Sequence, residues 1–332
     1  GNYEWQALYG SGYNYAFNSN KSNGLAMTTF SNYALEWEET AITNIGLDFG
    51  VLNNRLNGTI EVYDKKTDGI LYRPTLPESL NQFTSPLQNL AGVNNKGLEI
   101  TLGWNDRVGD ISYSVSGNFT YNKNKVTKYK GELVREWRTD ANGKKVWYQN
   151  VGTVANGSSN LIVEGHEMNE YYMMNPYKGN GSYFNSDGTV NINGGPKDGM
   201  IRTEADMKWL QAMFDAGYKF YPNQAIGKDK IWYGDMIYAD YNGDGIYGND
   251  DDRDFQGVSW RPKYYFGLQA SMTWKGFDLS MNWAGAAGFK IDYYKQTQNS
   301  VSVTHGYGLG YDIAYDHFFF DPENPNDPRP NI

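Results

Sequence analysis

The sequence predicts an all-β chain, a segment of an antiparallel transmembrane β-barrel with long extracellular loops and one short loop helix. Three observations predict it. Apolar and polar residues alternate with period two in six separate runs. The connections between runs are short at one end and very long at the other, and aromatic residues gather near both ends of the runs. Composition agrees: 16% of the 332 residues are aromatic, with 28 Tyr and 10 Trp. Mean hydropathy is −0.68 and no window approaches the roughly 18 consecutive apolar residues of a membrane helix, which excludes a helical membrane protein but not strands that hide their apolar side by alternation.

The runs justify themselves one by one. IGLDFGV offers Ile45, Leu47, Phe49 and Val51, and LNGTIEV offers Leu56, Ile60 and Val62. LEITLGW carries Leu98, Ile100, Leu102 and Trp104; ISYSVSGNFTY carries Ile111, Tyr113, Val115, Phe119 and Tyr121. YYFGLQASMTW sets Tyr264, Phe266, Leu268, Ala270, Met272 and Trp274 on one parity, and FDLSMNW sets Phe277, Leu279, Met281 and Trp283. Strands are therefore expected near 42–66, 94–122 and 262–287. Asn53-Asn54, Asn105-Asp106 and Lys275-Gly276 are the expected tight turns. The long connections are 67–93 and a large extracellular loop at about 123–261, lengths uncommon in a compact domain. Further strands at 158–164 and 170–178 would bring the total to eight. Ten residue steps from Ile111 to Tyr121, tilted, cover roughly 25 Å, the height of a lipid-facing band between two aromatic girdles. Leu102, Val115, Leu268 and Leu279 are expected to face lipid, and Thr101, Ser114, Gln269 and Ser280 the lumen. A β-sandwich would explain the alternation but not the asymmetry of the loops.

Inside the large loop, TEADMKWLQAMFDAG predicts a helix. Thr203 is its N-cap and Asp206 stands at capping-box spacing; Met207, Leu210 and Phe214 share a face, and Gly217 is the C-cap.

The charge of −9, without a basic stripe, argues against a nucleic-acid partner. The absence of cysteine excludes thiolate metal sites and cysteine nucleophiles. HEMNE, from His166 to Glu170, begins like a zinc-protease motif but lacks the second histidine. His305 and His317 stand alone, and Asp316 beside His317 has no nucleophile in any recognisable motif, so no enzyme is expected. Trp137, Trp147, Tyr171, Tyr172 and Tyr177 either stack on sugar rings or peptides, or pack the long loops against one another.

The densest feature is ADYNGDGIYGNDDDRDF, with six aspartates and three glycines between Ala239 and Phe255. Counted from Asp240, the third, fifth, seventh and twelfth positions are Asn242, Asp244, Ile246 and Asp251, with Gly245 sixth and Gly248 ninth. That is the oxygen-ligand spacing of a calcium loop, Ile246 giving its carbonyl. Aspartate in twelfth place is one methylene shorter than the usual glutamate. The rival reading is a plain turn built on Asn-Gly and Asp-Gly. Mutual repulsion of the aspartates favours a structural calcium ion in a static loop.

Five phrases taken together resemble the SusC-like (SusC/RagA) TonB-dependent transporters. They are LEWEETAITNIGLDFGVLNNRLNGTIEVYDKKTDGIL, LQNLAGVNNKGLEITLGW, YSVSGNFTYNKNKV, GDMIYADYNGDGIYGNDDDRDF and YYFGLQASMTWKGFDLSMNWAG, in that order. VEGHEMNEYYMMNPYKGNG departs from the phrase that often leads into the family's large loop. The resemblance implies a 22-stranded barrel in the Gram-negative outer membrane, a multi-pass protein in contact with lipid. It implies import of oligosaccharides or peptides driven through TonB, a SusD-like lipoprotein as lid, and a dimer of transporter–lid pairs. The chain would be a C-terminal-half segment, with the plug, the TonB box and the last strands outside it. The competing expectations are a soluble calcium-stabilised β-rich module, carbohydrate-binding or adhesive, and a secreted hydrolase, for which no nucleophile or acid pair is legible.

Overall fold

The computed structural model describes residues 3–74, 76, 83–222, 224–227 and 230–291. The chain divides into two compact units. One comprises Gly1–Arg135, Asn150–Glu170 and Gly257–Phe289; the other comprises Glu136–Gln149, Tyr171–Gln256 and Lys290–Ile332.

The first unit holds a six-stranded sheet. Its strands are β1 (Glu39–Val51), β2 (Leu56–Tyr72), β3 (Gln88–Val108), β4 (Ile111–Lys128), β5 (Tyr264–Trp274) and β6 (Phe277–Ala287), each antiparallel to the next in chain order. The register follows the alternation. Ile45 lies opposite Val62, Ile60 opposite Ile100, and Ile100 opposite Phe119. Phe119 then meets Phe266, and Leu268 meets Trp283. Directly paired residues share a face, so the apolar parity forms one continuous surface across six strands. The other face is polar and cross-linked: Asn44 donates to Glu61 (2.6 Å), Thr59 to Asp48 (2.6 Å), and Thr273 to Asp278 (2.6 Å). Ser114 and Ser271 share a hydroxyl bond of 2.7 Å.

Two hairpins turn where expected, at Asn53-Asn54 and at Lys275-Gly276, each with residues at positive φ. The third does not. Asn105 still pairs with Ser114 and Asp106 with Tyr113; the chain reverses at Gly109-Asp110. Gly109 takes φ +62°, which a residue without Cβ reaches without strain.

The expected barrel is not formed. The sheet is open: among the described residues β1 pairs only with β2 and β6 only with β5. Closure needs every edge paired, and outer-membrane barrels have about eight strands or more. The extra strands expected at 158–164 and 170–178 are the short Asn160–Leu161 and Glu170–Met174, which lie outside the six-stranded sheet. An open sheet overturns the multi-pass β-barrel, and with it the outer-membrane placement and the division of the two faces between lipid and lumen. Among the described residues, no helix is long and apolar enough to cross a membrane. Ile45, Leu47, Leu268 and Leu279 are exposed on the apolar face.

The second unit has its own core of Tyr177, Ile201, Trp209, Leu210, Met213, Phe220, Ile231, Ile237 and Tyr247. Its helix α1 (Glu204–Asp215) opens on the expected capping box, Thr203 and Asp206 bonding each other's amides. The helix buries Trp209, Leu210 and Met213, while Met207 and Phe214 only flank the core. The C-cap is Ala216, and Gly217 follows at φ +94°.

Candidate functional site

The acidic loop lies in the second unit. Asp240 curls back over its own turn: one oxygen accepts the amides of Gly243 (2.6 Å) and Asp244 (3.2 Å), the other that of Gly245 (2.8 Å). Asn242 accepts from Asp244 N–H (3.1 Å), and Asp244 from Ile246 N–H (2.8 Å). These Asx turns set the spacing that the count from Asp240 detects. Asp251 stands apart. It sits within a 3₁₀ turn, Asp250–Asp252, and its carboxylate accepts from the Gln149 side-chain amide (2.5 Å). Asp252, not counted in the calcium spacing, is the carboxylate turned inward. It is 1% exposed and accepts the amides of Tyr241 (2.7 Å), Gly248 (2.8 Å) and Asn249 (3.1 Å). Burial pushes its pKa up to about 6 against those amide bonds, and the nearby Asp240 charge adds to the rise. Its signal was present in the sequence: Asn249 with Asp252 three residues on is a capping box.

All the oxygens of the loop are hard donors suited to calcium. Among the described residues, no group of three or more His, Cys, Asp or Glu side chains is drawn together as a metal cage. Asp240, Asn242, Asp244 and Ile246 lie on one turn, and Asp251 is held by Gln149.

The aromatic candidates have separate roles. Trp137 and Trp147 come from the paired strands Arg135–Thr139 and Lys145–Gln149. Trp137 donates its indole N–H to the Asn242 carbonyl (2.9 Å) and meets Trp147 edge-on at 5.7 Å; Trp147 meets Tyr241 at 6.4 Å. The hairpin is therefore fastened to the acidic loop, and loop packing accounts for both tryptophans. Tyr172 donates to Gln149 (3.2 Å) and packs on Phe255 at 4.9 Å. Tyr171 and Tyr177 are buried; Tyr177 donates to the carbonyls of Ile192 and Gly194, and burial pushes its phenol up to about 12.

HEMNE forms a polar clasp in the first unit. Glu170, 5% exposed, accepts Gly257 N–H (2.6 Å) and Glu167 N–H (3.2 Å) and faces His166 Nδ1 at 3.1 Å. Burial acts to raise its pKa, but the histidine and the amides outweigh it and hold the carboxyl below the usual range. Glu167 accepts from Ser259 (2.8 Å) and pairs with Lys263 (2.9 Å). The carboxylates that a metalloprotease would turn to a metal are bound here to amides, a hydroxyl and an ammonium. His305, Asp316 and His317 lie outside the described residues.

A family model described as TonB dependent receptor-like, beta-barrel, matches residues 2–151. TonB-dependent receptor P39 of Formosa agariphila is 30% identical over 201 residues, 56% of this chain and 19% of that protein. TonB-dependent receptor SusC of Bacteroides thetaiotaomicron is 35% identical over 133 residues, 38% of this chain and 13% of that protein. The matched part thus spans about a fifth or less of either relative. Among solved structures, the RagAB peptide transporter gives a TM-score of 0.60 at 19% identity, covering 100% of this chain and 30% of that one. The RagAB peptide importer in its open-open state gives 0.55 at 20% identity, covering 87% and 24%. At such identities the likeness is one of fold. The chain is thus similar in sequence to TonB-dependent receptors over part of its length, and similar in fold to the RagAB chains.

Proposed function

We propose that the chain serves TonB-dependent import of oligosaccharides or peptides, working with a SusD-like lipoprotein lid. The observation that carries this reading is the sequence match across residues 2–151, where β1 to β4 lie, together with the RagAB-like fold. Two structures of similar fold carry import or transport of peptides in their descriptions, and SusC, similar in sequence, is described as a TonB-dependent receptor. The test is a chromosomal deletion complemented by the intact gene. Growth on either an oligosaccharide mixture or a peptide mixture as sole carbon source is expected to fail in the deletion strain and return on complementation. A SusD-like lipoprotein is expected to co-purify with the tagged chain. Undiminished growth on both mixtures, with no lid recovered, would overturn the reading.

Within it, we propose a structural calcium ion at Asp240, Asn242, Asp244, the Ile246 carbonyl and Asp251. The supporting observation is a turn already shaped by Asp240 and flanked by the buried carboxylate of Asp252. Calcium added to chelator-treated protein is expected to raise the melting temperature, and the rise to vanish in Asp240→Ala/Asp244→Ala. An equal rise in parent and variant, or none in the parent, leaves a plain turn.

A further inference from the structure

Seven Asn-Gly pairs occur in the chain, and the structure sorts them. Glycine has no Cβ to obstruct its own main-chain nitrogen, which can then reach the side chain of the asparagine before it. At five of the pairs that nitrogen is occupied. Gly143 N–H donates to the Asp140 carbonyl (3.0 Å), Gly181 N–H to that of Gly195 (3.1 Å), and Gly194 N–H to that of Asn191 (2.9 Å). Gly243 N–H is held by the Asp240 carboxylate at 2.6 Å. Asn57-Gly58 lies within β2, paired on both sides with β1 and β3. The remaining pairs, Asn23-Gly24 and Asn156-Gly157, stand outside the strands. Among the described residues, neither of these glycine nitrogens and neither asparagine side chain makes a hydrogen bond.

We propose that Asn23 and Asn156 are the positions at which the chain deamidates, and that the fold protects the other Asn-Gly pairs. The glycine nitrogen attacks the asparagine Cγ, the new N–Cγ bond replaces the bond from Cγ to the side-chain amide nitrogen, and ammonia leaves with the proton of the main-chain amide. Water then opens the cyclic imide at either carbonyl and gives aspartate or isoaspartate. Water is taken up, ammonia is released, and nothing is oxidised or reduced. A nitrogen that is already donating must first be freed by local opening, and the cost of that opening slows the attack. The reaction needs neither an enzyme nor a partner. At Asn156 its product has a structural consequence. Asn156 exchanges two backbone bonds with Ile162, donating at 3.1 Å and accepting at 2.9 Å, between the buried Ala155 and Leu161. Isoaspartate adds a methylene to the main chain at that join and sets a carboxylate beside it, so the join loosens.

The test is peptide mapping by mass spectrometry of the intact chain kept in mildly alkaline buffer, native and in denaturant, and sampled over time. In denaturant all seven pairs are expected to lose their side-chain amide. In the native protein the peptides holding Asn23 and Asn156 are expected to gain aspartate and isoaspartate, while Asn57, Asn142, Asn180, Asn193 and Asn242 keep their amides. Asn156→Gln, whose longer side chain disfavours the ring, is expected to abolish the product at that position and to leave Asn23 converting. Retention of the amide at Asn23 or Asn156 in the native protein, over a time in which the denatured chain converts, overturns the assignment. Conversion of any protected asparagine in the native protein at the rate of Asn156 overturns it as well.

Discussion

At Glu170 a single carboxylate holds two backbone amides and faces a histidine. Its folded pKa lies below the ordinary value, so the stability it confers is present above that value and is lost as pH falls through the folded one. Glu170→Gln is expected to cost about 1–3 kcal/mol at pH 7. The gap between variant and parent should close below the ordinary glutamate range of about pH 4. Denaturant titrations at neutral and acidic pH check this, and a gap that persists in acid would assign the loss to packing. Asp252 gives a second case. Asp252→Ala leaves the amides of Tyr241, Gly248 and Asn249 without their acceptor, an expected loss of about 2–4 kcal/mol by the same titration. The sequence count named Asp251 and passed over Asp252, because spacing along a chain does not say which neighbour a 3₁₀ turn rotates inward. Gln149 could not be read at all, since its bond to Asp251 joins residues far apart in sequence.

Among elements, the six long strands were legible because period-two alternation is also the rule that pairs them; the register matches apolar to apolar across the whole sheet. The misplaced third turn shows what alternation omits. Asn105-Asp106 and Gly109-Asp110 are both turn-forming pairs, and only the ladder chooses between them. Gly109→Ala is expected to cost about 1–2 kcal/mol through its left-handed φ, as read from denaturant midpoints. The helix was legible from its cap, but not its buried face. Trp209 is fully buried, bonding the Asn191 carbonyl at 2.9 Å, and this sets the rotation of α1. Trp209→Ala is expected to cost about 3–5 kcal/mol, and Met207→Ala much less, in the same assay. The two- and three-residue strands Lys219–Phe220, Ile246–Tyr247 and Arg253–Phe255 of the second unit carry too short a pattern to be read from sequence.

For the whole molecule, alternation and loop asymmetry report local pairing and say nothing of how many strands close on one another. That is why the sheet was legible and its closure was not. The second unit, with a buried cluster of its own, is expected to melt separately from the first. Scanning calorimetry of the parent should show two transitions, and Trp209→Ala should lower only one of them; a single transition shifted as a whole would mean one cooperative body.

The join between β4 and β5 bears on how the chain acquires its structure in time. Every other neighbouring pair of strands is linked directly, whereas β4 and β5 pair only after the chain has travelled through the second unit. Bringing distant ends together costs entropy that grows slowly with length but must be met before the contacts form. The travelling segment brings its own ends together: Tyr172 pairs with Phe255 inside the second unit, and Glu170 binds Gly257 one step outside it. A folded insertion thus hands the last hairpin to the waiting edge of β4. Loosening the insertion should therefore delay the arrival of β5 and β6 while leaving the β1–β4 meander to assemble at its own pace.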